Sequence, residues 1–229
     1  MKRSFIREIL ESIDENTISF AGGLPSEKLF PSDDLKTATL MLFDNPKVFQ
    51  YGLSNGIPEL REKIASRYTK EGFATFKENI LITTGSQQAM YILAKFYESK
   101  DITIEEPSYL GAMNIFRLNH LKMQGIKLEN DGVDLEAFEK SFKQTKLAYL
   151  IPDFQNPSAT TYCDEKRKEI AKIVKKENGI LIEDSPYSEL FFDKKNISIS
   201  SKLPKNSFHL GSFSKTLVPS LRIGWIRAD

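Results

Sequence analysis

The chain has 229 residues with 40% hydrophobic and 28% charged content, ordinary for a soluble globular protein of one large domain or two small ones. Lys+Arg number 32 against 31 Asp+Glu, a net charge of +1, which removes the electrostatic case for nucleic acid or an anionic membrane as a partner. A single cysteine, Cys163, excludes an intramolecular disulfide and fits a reducing cytoplasm.

In chain order, residues 4–14 carry Phe5, Ile6, Ile9, Leu10 and Ile13 at the spacing of one apolar helix face. Arg7, Glu8 and Glu11 fall on its other sides and interrupt any signal-peptide core. Gly22-Gly23 follows, a turn or a place of close backbone approach. Ser32 is expected to cap a helix with Asp33 and Asp34 in its first turn, ending before Pro46. Pro58 opens another helix running to about Lys70, with Gly72 as its stop.

From there short apolar runs alternate with helices. Strands are expected at Ile80–Thr83, Ile102–Ile104, about 122–128, Leu147–Ile151 and Ile180–Ile182. Two more, Ser207–Leu210 and Ile223–Ile226, flank Lys215. Helices are expected from Ser86 to near Ser99, from Ser108 to about Leu118, from an Asp134 cap through Phe142, and from Asp164 to Asn178. This alternation predicts an α/β domain with a mostly parallel seven-stranded sheet covered by helices on both faces. No apolar run approaches the roughly 20 residues of a membrane helix. His120 and His209 lie far apart and, with one cysteine, form no metal-ligand pattern; both read as structural or surface residues.

Ligands of such sheets bind at the carboxyl ends of strands. Each chemically notable residue here stands just after an apolar run: Gly85-Ser86-Gln87, Tyr109, Asn156, Asp184 with Tyr187, and Lys215. A lysine at a strand end among small polar residues suits Schiff-base chemistry, its amine activated if burial lowers its pKa. Ser212, Ser214 and Arg222 beside it suit a phosphate. A Schiff-base lysine next to a phosphate cradle suggests pyridoxal 5'-phosphate (PLP). Taken alone, Gly211-Ser212-Phe213-Ser214-Lys215 reads equally as a basic surface turn.

Taken together, the segments Ser19–Pro25, Ile82–Gln88, Glu106–Tyr109, Gln155–Pro157, Glu183–Tyr187, Gly211–Lys215 and Arg222–Trp225 resemble fold-type I PLP-dependent aminotransferases of class I/II. Within that family the chain is similar to the 2-aminoadipate and kynurenine aminotransferase branch. The resemblance implies that Lys215 holds PLP and moves the substrate's α-proton, and that Asp184 pairs with the pyridine nitrogen. It implies that Asn156 and Tyr187 meet the cofactor's phenolic oxygen and that Tyr109 lies against the ring. Gly85, Ser86 and Gln87 at a helix start would hold the phosphate with Ser212, Ser214 and Arg222. Tyr51 would reach the phosphate of a second subunit, which implies a homodimer. Gly22, Gly23, Asn156 and Arg7 would line the substrate, an amino acid or 2-oxo acid.

The same resemblance implies a helical arm over residues 1–20, a PLP-binding large domain over 21–229, and a C-terminal small domain, with its carboxylate-binding arginine, that this chain lacks. The expected function is amino transfer by a ping-pong cycle. A PLP lyase or decarboxylase, a PLP-binding chain without turnover, and a regulator related to aminotransferase-like domains stand as alternatives.

Overall fold

The computed structural model describes residues 14, 16–18 and 23–229. Among them are six α-helices: α1 (Ser32–Phe43), α2 (Pro58–Lys70), α3 (Ser86–Phe96), α4 (Leu110–Leu118), α5 (Leu135–Thr145) and α6 (Asp164–Lys176). The strands are β1 (Ile80–Thr83), β2 (Asp101–Glu106), β3 (Lys122–Glu129), β4 (Gly132–Val133), β5 (Leu147–Leu150), β6 (Ile180–Asp184), β7 (Ser207–Ser212) and β8 (Gly224–Arg227). They form one sheet in the order β1-β8-β7-β6-β5-β2-β3-β4.

The α/β architecture is as expected, with eight strands in place of seven. The additional strand, β4, has two residues and folds back on β3 through the pairs Leu128↔Val133 and Glu129↔Gly132. A pair of residues carries no periodicity, so no pattern marks it. Pairings of β2 with β3 and β5, β5 with β6, and β6 with β7 are parallel. Strand β8 runs antiparallel between β1 and β7. Its first residue therefore lies at the carboxyl ends of both neighbours.

Strand alternation sorts the core onto two faces. Leu147 and Tyr149 of β5 pack with Ala89, Met90 and Leu93 of α3 and with Phe116 of α4. Ala148 and Leu150 point the other way, into Phe138 and Phe142 of α5 and Ile170 and Val174 of α6. Each fully buried aromatic or branched side chain contributes about 1.5–3 kcal/mol. Helix α2 buries Arg61, Ile64, Ala65 and Tyr68, one stripe at helical spacing.

Helix starts follow local chemistry with one correction. Pro58 opens α2 as expected. Asp134 caps α5, its side chain accepting from the Ala137 N–H at 2.9 Å. Ser32 is not the cap of α1: it is the first helical residue, Pro31 takes the cap position, and the Ser32 hydroxyl turns back to the Phe30 carbonyl. None of the α1 residues is buried in this chain.

His209 has a structural place. It is buried on β7, its Nδ1 2.8 Å from the Tyr68 hydroxyl, which also accepts from the Trp225 indole N–H at 2.7 Å. Burial pulls its pKa down to about 4. Trp225 closes over Gly211, where a Cβ would collide with the indole ring. This bracket fixes β8 against β7 directly below the Lys215 turn.

Candidate active site

The site occupies the carboxyl end of the sheet. Asp184 ends β6 and is 2% exposed. Its Oδ2 accepts a 2.7 Å hydrogen bond from the Tyr149 hydroxyl on the adjacent strand β5. Its Oδ1 is buried with no hydrogen-bond partner among the described residues. Burial raises the Asp184 pKa to about 6, with the Tyr149 bond opposing the shift. Such an oxygen is poised for a cationic or N–H partner from outside the chain.

Lys215 follows β7 and is half-buried. Its Nζ donates to the Gly23 carbonyl at 2.9 Å and stands 5.9 Å from the centroid of the Tyr187 ring. Burial lowers its pKa, which raises the fraction of free amine available for attack on a carbonyl. Burial raises the Tyr187 pKa, and the neighbouring Asn156 side chain opposes that rise. Lys215, Tyr187 and Asn156 thus come from three separate strand ends into one cluster.

A second cluster forms at the start of α3. Gly85 precedes the helix with φ of +79°, a backbone conformation that favours glycine. A Cβ at Gly85 would lie 2.6 Å from Nη2 of Arg222. The guanidinium is therefore pressed against the helix entry, donating to the Thr84 carbonyl at 3.4 Å and the Pro219 carbonyl at 3.2 Å. A Cβ on Gly224 would lie 2.7 Å from the Ser86 nitrogen, so β8 and the helix start are in close contact. The first N–H groups of a helix have no intrahelical acceptor, and the macrodipole is positive there. On the far side, the Ser212 hydroxyl accepts from the Ser214 N–H at 3.0 Å and lies 3.0 Å from the Ser214 hydroxyl. A glycine entry, free N–H groups and an arginine make an anion cradle. Gln87 links the clusters, its Nε2 donating to the Tyr109 hydroxyl at 3.2 Å.

Among the expected site residues, Tyr51 is not brought into the site by this chain: it is fully exposed. Arg7 and Gly22 lie outside the described residues. Gly23 is placed, next to Lys215. Tyr149, which orients Asp184, is missed by the sequence reading. Its one sequence signal is a hydroxyl-bearing residue inside the aliphatic run Leu147–Ile151, and that run precedes the strand ending in the aspartate.

Against this geometry, the sequence profile described as aminotransferase class I and II matches residues 16–229. The chain belongs to this family. The class I and II aminotransferases similar to it include aromatic-amino-acid aminotransferase 1 of Thermococcus litoralis, 32% identical over 100% of this chain and 58% of that protein. The 2-aminoadipate transaminase of Thermus thermophilus is 34% identical over 98% of this chain and 58% of its own length. The crystal structure of Pyrococcus horikoshii kynurenine aminotransferase superposes with a TM-score of 0.89 at 31% identity, covering 99% of this chain and 59% of that one. The chain thus spans a little under three-fifths of the length of these relatives.

Proposed function

We propose that this chain is the cofactor-binding part of a PLP-dependent aminotransferase that moves an amino group from an amino acid to a 2-oxo acid in a ping-pong cycle. The observation that carries the reading is the orphaned, buried Oδ1 of Asp184 at the carboxyl end of β6, on the same edge of the sheet where Gly85 and Arg222 meet at the start of α3. The kynurenine relative was crystallised with PMP, and the Thermus thermophilus α-aminoadipate aminotransferase with N-(5'-phosphopyridoxyl)-L-leucine. Both are pyridoxal-type ligands, and the residues present here fit such a group.

Bound PLP supplies an electron sink for the pair left on the substrate α-carbon. Asp184, free to accept at Oδ1, would hold a proton on the pyridine nitrogen. Ser86, Gln87, Ser212, Ser214 and Arg222 would bind the phosphate. Asn156 and Tyr187 would donate to the phenolic oxygen, and Tyr109 would lie on the ring face. Lys215 would attach the cofactor and, once its amine is free, take the proton from the substrate α-carbon. Gly23, beside Lys215, and Arg7 and Gly22 would contact the substrate.

A homodimer goes with this reading. The fully exposed Tyr51 and the unburied helix α1, with exposed Leu40, Met41 and Phe43, support such an interface. A cytoplasmic site fits the single cysteine, Cys163. Among the described residues, no helix is long and apolar enough to cross a membrane.

The test begins with PLP added to the purified chain, borohydride fixation and peptide mapping. Label on Lys215 is expected, with poor amino transfer to 2-oxoglutarate from this chain alone, since the carboxylate-binding arginine implied by the resemblance is not among its residues. Label absent from a folded chain would overturn the cofactor reading; keto-acid release without an acceptor would replace transfer with lyase chemistry. A second variant probes the cradle. Gly85→Ala forces a side chain into a left-handed backbone and against Arg222. It should weaken PLP binding by about tenfold or more, read by fluorescence titration, because the displaced guanidinium loses a charge-assisted bond. Unchanged affinity would place the phosphate elsewhere.

A further inference from the structure

Glu105, the penultimate residue of β2, is almost fully buried and has no cation beside it among the described residues. Its carboxylate is instead filled by neutral donors. Oε1 accepts from the Ile151 N–H at 2.9 Å and the Tyr162 hydroxyl at 2.7 Å, and Oε2 accepts from Gln155 Nε2 at 3.0 Å. Gln155 is itself saturated. Its Nε2 also donates to the Pro107 carbonyl at 2.8 Å, and its Oε1 accepts from the Ser158 N–H at 2.9 Å and the Ser158 hydroxyl at 2.7 Å.

The pair therefore ties together two strand ends that are 50 residues apart in sequence. One leads through Pro107 to Tyr109, the other through Gln155 to Asn156. Asn156 sits in a turn and Tyr109 in the short link before α4, so neither is held by a helix or strand of its own. A wholly buried carboxylate is costly: desolvation, helped by the charge on Asp184, pushes its pKa up to about 7. An apolar residue would fill the same space at lower cost, but it would leave Gln155 Nε2 and the Ile151 N–H short of an acceptor.

We propose that Glu105 is a positioning residue of the active site: through Gln155 it fixes where Asn156 and Tyr109 stand against the ring. The role rests on the PLP reading given above. Substitution of Glu105 loosens the 155–160 turn, moves Asn156 away from the phenolic oxygen, and so changes how tightly the bound cofactor's proton is held.

Two variants test this. In Glu105→Gln the new amide can still accept from Ile151 and Tyr162, but its NH2 faces that of Gln155. In the swap Glu105→Gln/Gln155→Glu the donor and acceptor trade sides: the amide at 105 donates to the carboxylate at 155, which still accepts from Ser158. The Pro107 carbonyl loses its donor and faces a carboxylate oxygen in its place, so the recovery is partial. Amide hydrogen exchange at 155–160 of the cofactor-free chain should quicken about tenfold in the single variant. With PLP loaded, the pH midpoint of its visible absorbance should shift. The swap should return both quantities toward wild type, which a merely space-filling role would not do. Wild-type exchange and midpoint in Glu105→Gln overturn the proposal, as does loss of protection spread through the whole sheet with no recovery in the swap. A wild-type chain that does not attach PLP at Lys215 overturns the cofactor reading instead, and is told apart because the parent fails.

Discussion

Asp184→Asn is expected to stabilise the cofactor-free chain by about 2–3 kcal/mol at pH 8 while destroying its chemistry. The Asp184 carboxyl has a pKa of about 6 in the folded chain against an ordinary value of 3.8. A raised folded value means that the native state binds more protons than the unfolded chain between those limits. Below about pH 4 the group therefore costs the folded state nothing. Stability then declines as pH rises through about 6, and the full penalty persists above. The gap between the two values corresponds to about 3 kcal/mol. Asparagine cannot ionise, keeps an acceptor for the Tyr149 hydroxyl, and places a neutral amide where Oδ1 has no partner. Denaturant melts of both proteins from about pH 3.5 to about pH 8.5 give the difference directly. It should be near zero at the acid end and grow to a plateau above about pH 6.5. A difference independent of pH would mean that Asp184 is solvated in the native state. Under the proposed function the cost appears in catalysis, since an amide would not hold a proton on the pyridine nitrogen, and amino transfer should fall by orders of magnitude. A residue that is a liability to the cofactor-free fold has the profile of a functional group.

Lys215→Ala should abolish the borohydride-fixed label and lower amino transfer by at least about 10²–10⁴-fold, the usual range for a lost proton-transferring group. The covalent link goes as well. Non-covalent retention of PLP is expected all the same, because the anion cradle at Gly85 and Arg222 and the carboxylate of Asp184 do not involve the lysine. Fluorescence titration should therefore still show saturable binding, and the melting temperature should be near wild type. The Lys215 amine is half-buried, with its pKa lowered by that burial and one hydrogen bond to the Gly23 carbonyl, so removing it relieves desolvation rather than breaking a core contact. Borohydride-fixed label on any other peptide of the Lys215→Ala variant, or full activity in it, would move the chemistry to another amine.

Much of the site was legible in the sequence because its residues follow strands. Ile80–Thr83, Ile180–Ile182 and Ser207–Leu210 are short apolar runs, and the residue after such a run in a parallel sheet stands at the ligand-binding edge. That local rule singles out Gly85, Asp184 and Lys215 without knowledge of strand order. The helix entries at Pro58 and Asp134 were legible too, since capping needs only the few residues on either side.

What the tertiary structure decided is which of these runs are neighbours. Alternation within a strand records the faces it buries and carries no information on the strand beside it. The antiparallel insertion of β8 between β1 and β7 brings Gly224 and Arg222 to the start of α3, although Arg222 and its acceptor Thr84 are 138 residues apart in sequence. The Tyr149–Asp184 bond and the Glu105–Gln155 clamp likewise join side chains whose partners are fixed only by the order β6-β5-β2. The two-residue strand β4 depends in the same way on the strand it folds against. In each case the deciding interaction is made by groups that local sequence pattern does not pair, so its energy appears only once the sheet has closed.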